Sequence, residues 1–479
     1  VSAPSAAATI PSAAPPGRRR AALALLVSAQ FVVMLDTSIV NVALPSIQAD
    51  LALGATGLTW VVNAYVLAFG GLLLLAGRTA DLLGRRRVLV AGAVVFTLGT
   101  LVAGTAASPT ALVLGRVVQG VGAAALSPAA MSLLLVTFPG RARARAMSMW
   151  GAASTAGGAT GVVAGGLLAE HLGWSSVFFV TVPITALAAV AALRLLDPAP
   201  GRPGRRWDGT GAAAITGAVV ALVHAALAVP QHGWRSPTVL VAVGAAGALL
   251  VTFVAVERRV RDPLVPLAVF RSRPVSTGTV LAVLGGAARA STFVLVALYL
   301  QQGLHLAPAA AGLAMVPTSL AGLAVSLSLL PRVLRVLGPE RSLVTGLLVL
   351  AAGHLWLART PAAALYAVDV LPGLLLVATG VALSFTPTTM VLASGLPAEH
   401  AGLASGLSGA GTQVGAALGT AGFTAAATAA TVTAATVGDG AAMIGIDGFA
   451  AAFGSAACVA LVTAAVGLSL VDRRPRTSR

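Results

Sequence analysis

Four ionisable side chains stand inside long apolar stretches: Asp36, Arg116, Arg289 and Asp369. A charge placed in hydrocarbon costs roughly 2.5–3.5 kcal/mol even on a lenient insertion scale, so each is a functional candidate by default. Asp36 lies about eight residues from the outer end of its apolar segment near Leu44, Arg116 about six from the outer end of its own, and Asp369 about seven into its segment. At 1.5 Å per residue that places all three roughly 9–12 Å below the outer surface. An acid whose hold on a proton changes as Arg116 approaches or withdraws is a workable proton carrier, and the same carboxylate can bind a cation. The plainer readings are a structural hydrogen-bonding role for Asp36 and a bundle-locking ion pair or snorkelling side chain for Arg116. Arg289, near the midplane, can bind an anionic or polar group of a substrate or hold a carboxylate of a facing bundle. Asp369 favours a cation.

The elements that carry these residues are helices in lipid. Hydrophobic residues make up 57% of the 479, charged residues only 9%, and the mean hydropathy is +0.94. Soluble domains carry roughly 25% charged residues. Apolar stretches long enough to cross a hydrocarbon core of roughly 30 Å recur along the whole chain. Fourteen can be counted, the first running over 21–44 and the twelfth over 362–391, which predicts an all-α polytopic membrane protein of the cell membrane.

All thirty basic residues are arginine. Without lysine there is no Walker A loop and no Schiff-base or catalytic lysine. One cysteine, Cys458, and six scattered histidines supply no metal cluster; Cys458 is expected to be a small buried residue. No cofactor is called for. With the N-terminus inside, 26 arginines fall on inner segments and two, Arg235 and Arg359, on outer loops. That split is a positive-inside signal and places both termini in the cytoplasm. The net charge of +16 is then a topology device with an attraction to anionic lipid, and nucleic acid is not needed to explain it.

Residues 77–92 form a short charged connector between two apolar runs, with Arg78, Asp81, Arg85, Arg86 and Arg87 between Gly77 and Gly92. A second copy stands at 331–346: Arg78, Leu83, Gly84, Arg87, Leu89, Val90 and Gly92 meet identical residues 254 positions on, while Asp81 meets Arg335. Gly157 and Gly161 find a matching pair in Gly415 and Gly419. Two six-helix bundles separated by an inserted helix pair produce this spacing. The expected segments are a disordered tail 1–17, an N-terminal bundle 18–197, the inserted pair 198–262, a C-terminal bundle 263–471 and a tail 472–479.

These residues resemble the major facilitator superfamily, in particular its fourteen-helix drug:proton antiporter branch. Gly77 to Arg86, including Arg78, Asp81, Gly84 and Arg85, looks like the family's loop between its second and third helices. Leu35-Asp36-Thr37-Ser38-Ile39-Val40-Asn41 through Pro45 resembles its first-helix motif, and Arg116-Val-Val-Gln119-Gly120-Val-Gly122 its fourth-helix motif. Gly157, Gly161, Gly165 and Gly166 resemble the fifth-helix antiporter motif, with Val162 where the family has proline. The resemblance implies two six-helix bundles; the buried charges themselves point to proton coupling at Asp36 and Arg116, and a substrate cavity is expected to touch Asn41, Gln119, Arg289 and Asp369. It implies gating at the 77–86 loop, where Asp81 is expected to meet the N-terminus of the helix starting near Gly402. Gly157, Gly161, Gly165, Gly415 and Gly419 form stripes that allow close helix contact.

The reading that follows is a monomeric proton-coupled exporter of hydrophobic small molecules, a drug or antibiotic antiporter working by alternating access. The alternatives are a proton symporter importing a nutrient and, more remotely, a membrane-embedded enzyme or a non-transporting scaffold. The helices offer no Ser-His-Asp grouping and no acidic Mg²⁺ site, so no enzyme activity is expected.

Overall fold

A computed structural model describes residues 16–197, 208–361, 364–430, 436–437, 441–442 and 445–471. The expected tails 1–17 (save residues 16 and 17) and 472–479, and the first ten residues of the expected insertion, lie outside the described residues. Sixteen helices follow in order: α1 Pro16–Asp50, α2 Ala55–Leu83, α3 Arg85–Gly104, α4 Pro109–Thr137, α5 Arg141–Leu172, α6 Ser176–Phe179, α7 Val182–Leu195 and α8 Gly209–His232. Then come α9 Pro237–Glu257, α10 Arg273–Leu298, α11 Pro308–Ala314, α12 Val316–Ala324, α13 Leu330–Ala358, α14 Leu371–Ser394, α15 Ala401–Ala430 and α16 Ile446–Val471. Thr436–Val437 and Ala441–Ala442 pair as a two-residue antiparallel ladder.

Among the described residues, twelve helical stretches are long and apolar enough to cross a membrane. One of them, Ala310–Ala358, has 49 residues and is broken at Gly338, which stands at φ +78° ahead of Pro339. Gly84, its counterpart in the sequence repeat, takes φ +100° between α2 and α3; only glycine enters this region without a steric penalty. α15 has 30 residues and no charge, its hydropathy diluted by Gly, Ser and Thr. Large apolar side chains such as Val241, Val251 and Leu187 are exposed on helix faces, as expected where the surroundings are lipid. Cys458 is exposed as well, not buried as expected; on a membrane helix a small apolar residue is at home facing acyl chains.

The chain divides into two compact units, one of Val1–Val220, Gly247–Val269 and Leu396–Ala410, the other of Ala221–Ala246, Phe270–Gly395 and Gly411–Arg479. In the first unit, α3 packs on α4 through Gly92, where a Cβ would lie 3.0 Å from Gly122 O, and through Gly99, which faces the backbone of Gln119. In the second, α13 packs on α14 through Gly346, where a Cβ would lie 2.9 Å from Gly380 O, and through Gly353, which faces Val377 N at 2.8 Å. The repeat therefore extends to helix packing: Gly92 and Gly99 match Gly346 and Gly353, and Gly122 and Gln119 match Gly380 and Val377. Backbone contact of this kind replaces the hydrophobic drive that lipid removes.

α1 runs parallel to α5 in the same manner. Gly157 faces Phe31 O, Gly161 would place a Cβ 2.8 Å from Leu35 O, and Gly165 one 2.9 Å from Ile39 O. The four-residue step on both helices makes one stripe. Gly166 lies off it, at ordinary distance from Val42. In the second unit Gly415 faces Val283 O, and a Cβ on Gly419 would lie 2.8 Å from Ala287 O, so α15 packs on α10 by the same step.

Two helix ends differ from expectation. α1 continues six residues past Leu44 with Pro45 inside it, and its end is fixed by Trp174 Nε1 donating to Asp50 at 2.7 Å. Asp36 is therefore fourteen residues, about 21 Å, from that end, deeper than the expected depth. The helix carrying Asp369 begins at Tyr366 with a π-helical turn rather than at residue 362, so Asp369 lies in the first turn instead of seven residues in.

Candidate functional site

Asp36, Arg116 and Gln119 form one buried cluster of the first unit, 0%, 2% and 0% exposed. Arg116 Nη1 donates to Asp36 Oδ2 at 2.7 Å and to Gln119 Oε1 at 2.9 Å. Gln119 Nε2 donates to Asp36 Oδ1 at 3.0 Å and to the Thr100 hydroxyl at 2.9 Å. Arg116 Nε donates to Val61 O at 3.2 Å, and its guanidinium stacks 4.3 Å from the centre of the Tyr65 ring. Residues 116 and 119 meet because they are one turn apart on α4. α1 presents Asp36 to them because its other side is held by the glycine stripe of α5. Both carboxylate oxygens are satisfied, which a buried charge requires.

Sequence reasoning missed Tyr65, Thr100 and the Val61 carbonyl. Tyr65 carried a signal, being one of only three tyrosines; a backbone carbonyl carries none. Asn41, expected in the cavity, is exposed and donates to Thr37 O at 3.0 Å, apart from the cluster.

A second cluster forms around the 77–86 connector. Asp81 Oδ1 accepts from Gly402 N and Oδ2 from Leu403 N, each at 2.9 Å, at the start of α15. Arg85 donates to Asp81 Oδ1 at 2.9 Å and to Ala398 O at 2.8 Å. Gly77 and Gly402 touch backbone to backbone, so neither tolerates a side chain. Arg78, 1% exposed, donates to Pro263 O at 3.2 Å. Glu257, at the end of α9 and also missed from sequence, accepts from the amides of Leu264 and Val265 and fixes the segment that Arg78 holds. Arg86 donates to Leu193 O at 2.7 Å, at the end of α7. Gly84 makes the turn itself.

In the second unit Arg289 is 3% exposed, 6.0 Å from the centre of the Phe385 ring. Its three nitrogens have no hydrogen-bond partner among the described residues. Asp369 is half-buried and accepts from Leu365 N at 2.7 Å, reaching back from the first turn to the amide of the N-cap residue as the acidic member of a capping box does. His354 is fully buried with Nε2 2.6 Å from the Thr292 hydroxyl.

Twelve helical stretches of the described residues, long and apolar enough to cross a membrane and with charged side chains buried among them, describe a polytopic membrane protein. The Major Facilitator Superfamily model matches residues 26–420, and the chain belongs to that family. It is 39% identical to the puromycin resistance protein pur8 of Streptomyces alboniger over 96% of this chain and 93% of that one. It is 38% identical to the cephamycin export protein CmcT of Amycolatopsis lactamdurans, covering 83% and 82%. The tetracenomycin C resistance and export protein of Streptomyces glaucescens is 34% identical, covering 87% and 77%. Among solved structures, the human organic anion transporter MFSD10 (TETRAN) shares the fold with a TM-score of 0.67 at 14% identity, covering 95% of this chain and 100% of that one. The proton:xylose symporter XylE does so with a TM-score of 0.63 at 14% identity, covering 95% and 96%. The chain is a multi-pass plasma-membrane transporter, not an enzyme.

Proposed function

We propose that the protein exports hydrophobic small molecules of antibiotic type in exchange for protons, by alternating access. The observation that carries this reading is the Asp36–Arg116–Gln119 cluster: a carboxylate fully buried in an apolar bundle and held by hydrogen bonds that a proton would weaken. Protonating Asp36 removes its attraction to Arg116 and frees α1 to move against α4. Each proton entering down the membrane potential contributes about 2.3 kcal/mol per 100 mV. Relatives named for puromycin resistance, cephamycin export and tetracenomycin C resistance support an antibiotic-sized cargo.

The 77–86 connector acts as a latch. Asp81 on the first amides of α15 contributes about 0.3–1 kcal/mol, near 2 where partly buried. That is small enough to break in every cycle. The stripes of Gly157, Gly161, Gly165, Gly415 and Gly419 are the surfaces on which helices slide. Fourteen spans follow when the stretch broken at Gly338 is taken as two and α15 is added, with both termini cytoplasmic. The bundles 18–197 and 263–471 flank an inserted pair at 198–262, and one chain suffices as the transporting unit. Protons and anionic lipid are its other partners.

The test is accumulation of a panel of toxic hydrophobic compounds in a host expressing or lacking the protein, with and without a protonophore. Lower accumulation that the protonophore abolishes is the expected result. Equal accumulation in both hosts across the panel, or export that survives the protonophore, would overturn the reading.

A further inference from the structure

Three of the four intramembrane charges are accounted for by protein partners. Asp36 and Arg116 neutralise each other, and Asp369 is drawn to the Leu365 amide. Arg289 is the exception among them. Its Nε, Nη1 and Nη2 are buried and have no hydrogen-bond partner among the described residues, and an arginine cannot shed its charge. The room it occupies is kept by Gly285, where a Cβ would lie 2.5 Å from Nη1 and 2.8 Å from Nη2. The Phe385 ring on α14 stands at 6.0 Å, at the outer limit of a useful cation–π contact. The hydroxyls of Thr386 on α14, Thr318 on α12 and Ser326 just after it are buried with no partner among the described residues. α14 packs against both α10 and α12, so the cation and the unused hydroxyls lie on helices that touch.

An uncompensated buried guanidinium is strongly unfavourable; what satisfies it is an anion accepting from its planar fork. A structural role would show carbonyl or carboxylate acceptors, as Arg116 and Arg85 do. We propose that Arg289 is the anchor of an anion subsite, and that the transported molecule is an apolar body carrying an acidic group, a carboxylate, sulfonate, phosphate or phenolate. The identity of the anion as cargo rests on the export reading; its affinity for Arg289 does not.

The probe pair is anilinonaphthalene sulfonate and phenylnaphthylamine, the same fluorophore with and without the sulfonate, titrated into the full-length protein in detergent at neutral pH. The wild type is expected to bind the sulfonate about tenfold more tightly than the uncharged amine, the preference a charge-assisted contact gives. Arg289→Gln is expected to abolish that preference while leaving amine affinity unchanged, and Arg289→Lys to keep part of it. Thermal unfolding guards against misfolding. Arg289→Met should melt higher than wild type without ligand, and the sulfonate should raise the wild-type midpoint only. Equal affinities of the wild type for both probes, equal losses of both in Arg289→Gln, or a lower melting point for Arg289→Met would each overturn the proposal. A host that shows no protonophore-sensitive export beside an intact sulfonate preference would defeat the export reading and leave the subsite standing.

Discussion

In the first unit Gly157 and Gly161 of α5 meet α1 at Phe31 and Leu35; in the second, Gly415 and Gly419 of α15 meet α10 at Val283 and Ala287. Just beyond these contacts each partner helix carries a buried charge, Asp36 on α1 and Arg289 on α10. The scaffolds are alike and the charges opposite. α4 supplies Arg116 and Gln119 to Asp36, whereas the matching positions of α14, by the packing of Gly353 on Val377 and Gly346 on Gly380, are the apolar Leu374 and Val377. One packing scheme, duplicated, thus holds a closed ion pair in one unit and an open cation in the other. The first is suited to a proton that competes with an internal partner, the second to a ligand from outside.

The largest effect expected from this contrast is at the closed pair. Arg116→Leu leaves the buried Asp36 carboxylate without a countercharge, with Gln119 alone donating to it, and should destabilise the protein by about 3–5 kcal/mol, read by unfolding in detergent. Combining it with Asp36→Asn should restore part of that loss, since no lone charge then remains. If Arg289→Met proved as destabilising as Arg116→Leu, the contrast between the units would disappear.

The shared scaffold can be broken next. Gly161→Val drives a side chain into Ser38, 2.7 Å from the ideal Cβ position, and Gly419→Val does the same at Ala287. Each should cost about 1–3 kcal/mol and slow transport. A transport rate unchanged in either variant would show that its stripe is not a moving surface.

The two copies of the charged connector differ in the same sense. Asp81 is buried with two amides and Arg85, while Arg335 at the matching place is exposed. Asp81→Asn should weaken the latch by about 1 kcal/mol, a fewfold shift in conformer populations measurable by spin-label distances, and Arg335→Ala should shift nothing. The smallest effect is at Asp369. Asp369→Asn keeps an acceptor for the Leu365 amide and should change stability by only about 0.5 kcal/mol with proton coupling intact, and lost coupling there would return Asp369 to the transport path.

Much of this was legible in the chain because lipid makes charges conspicuous. Asp36, Arg116, Gln119 and Asp81 stood out as polar residues in apolar runs or in a repeated loop; the first three meet one another, and Asp81 meets the start of α15. What sequence could not supply was the ends of helices. The first apolar segment ends near Leu44, yet α1 runs on through Pro45, and the π-helical turn at Tyr366–Val370 puts an apparent mid-segment acid in the first turn of its helix. Nor could it supply satisfaction. Arg116 and Arg289 look alike in one dimension, and only the placement of neighbours shows that one is bonded and the other is not. The partners of Arg116 include the Val61 carbonyl, which every residue possesses.

The central claim is that Asp36 carries the coupled proton. In proteoliposomes with an imposed pH gradient, the wild type should move protons when substrate is added and drive substrate uphill. Asp36→Asn should do neither, while still exchanging substrate across the membrane at equal concentrations. Substrate-dependent proton movement at the wild-type rate in Asp36→Asn would contradict the account.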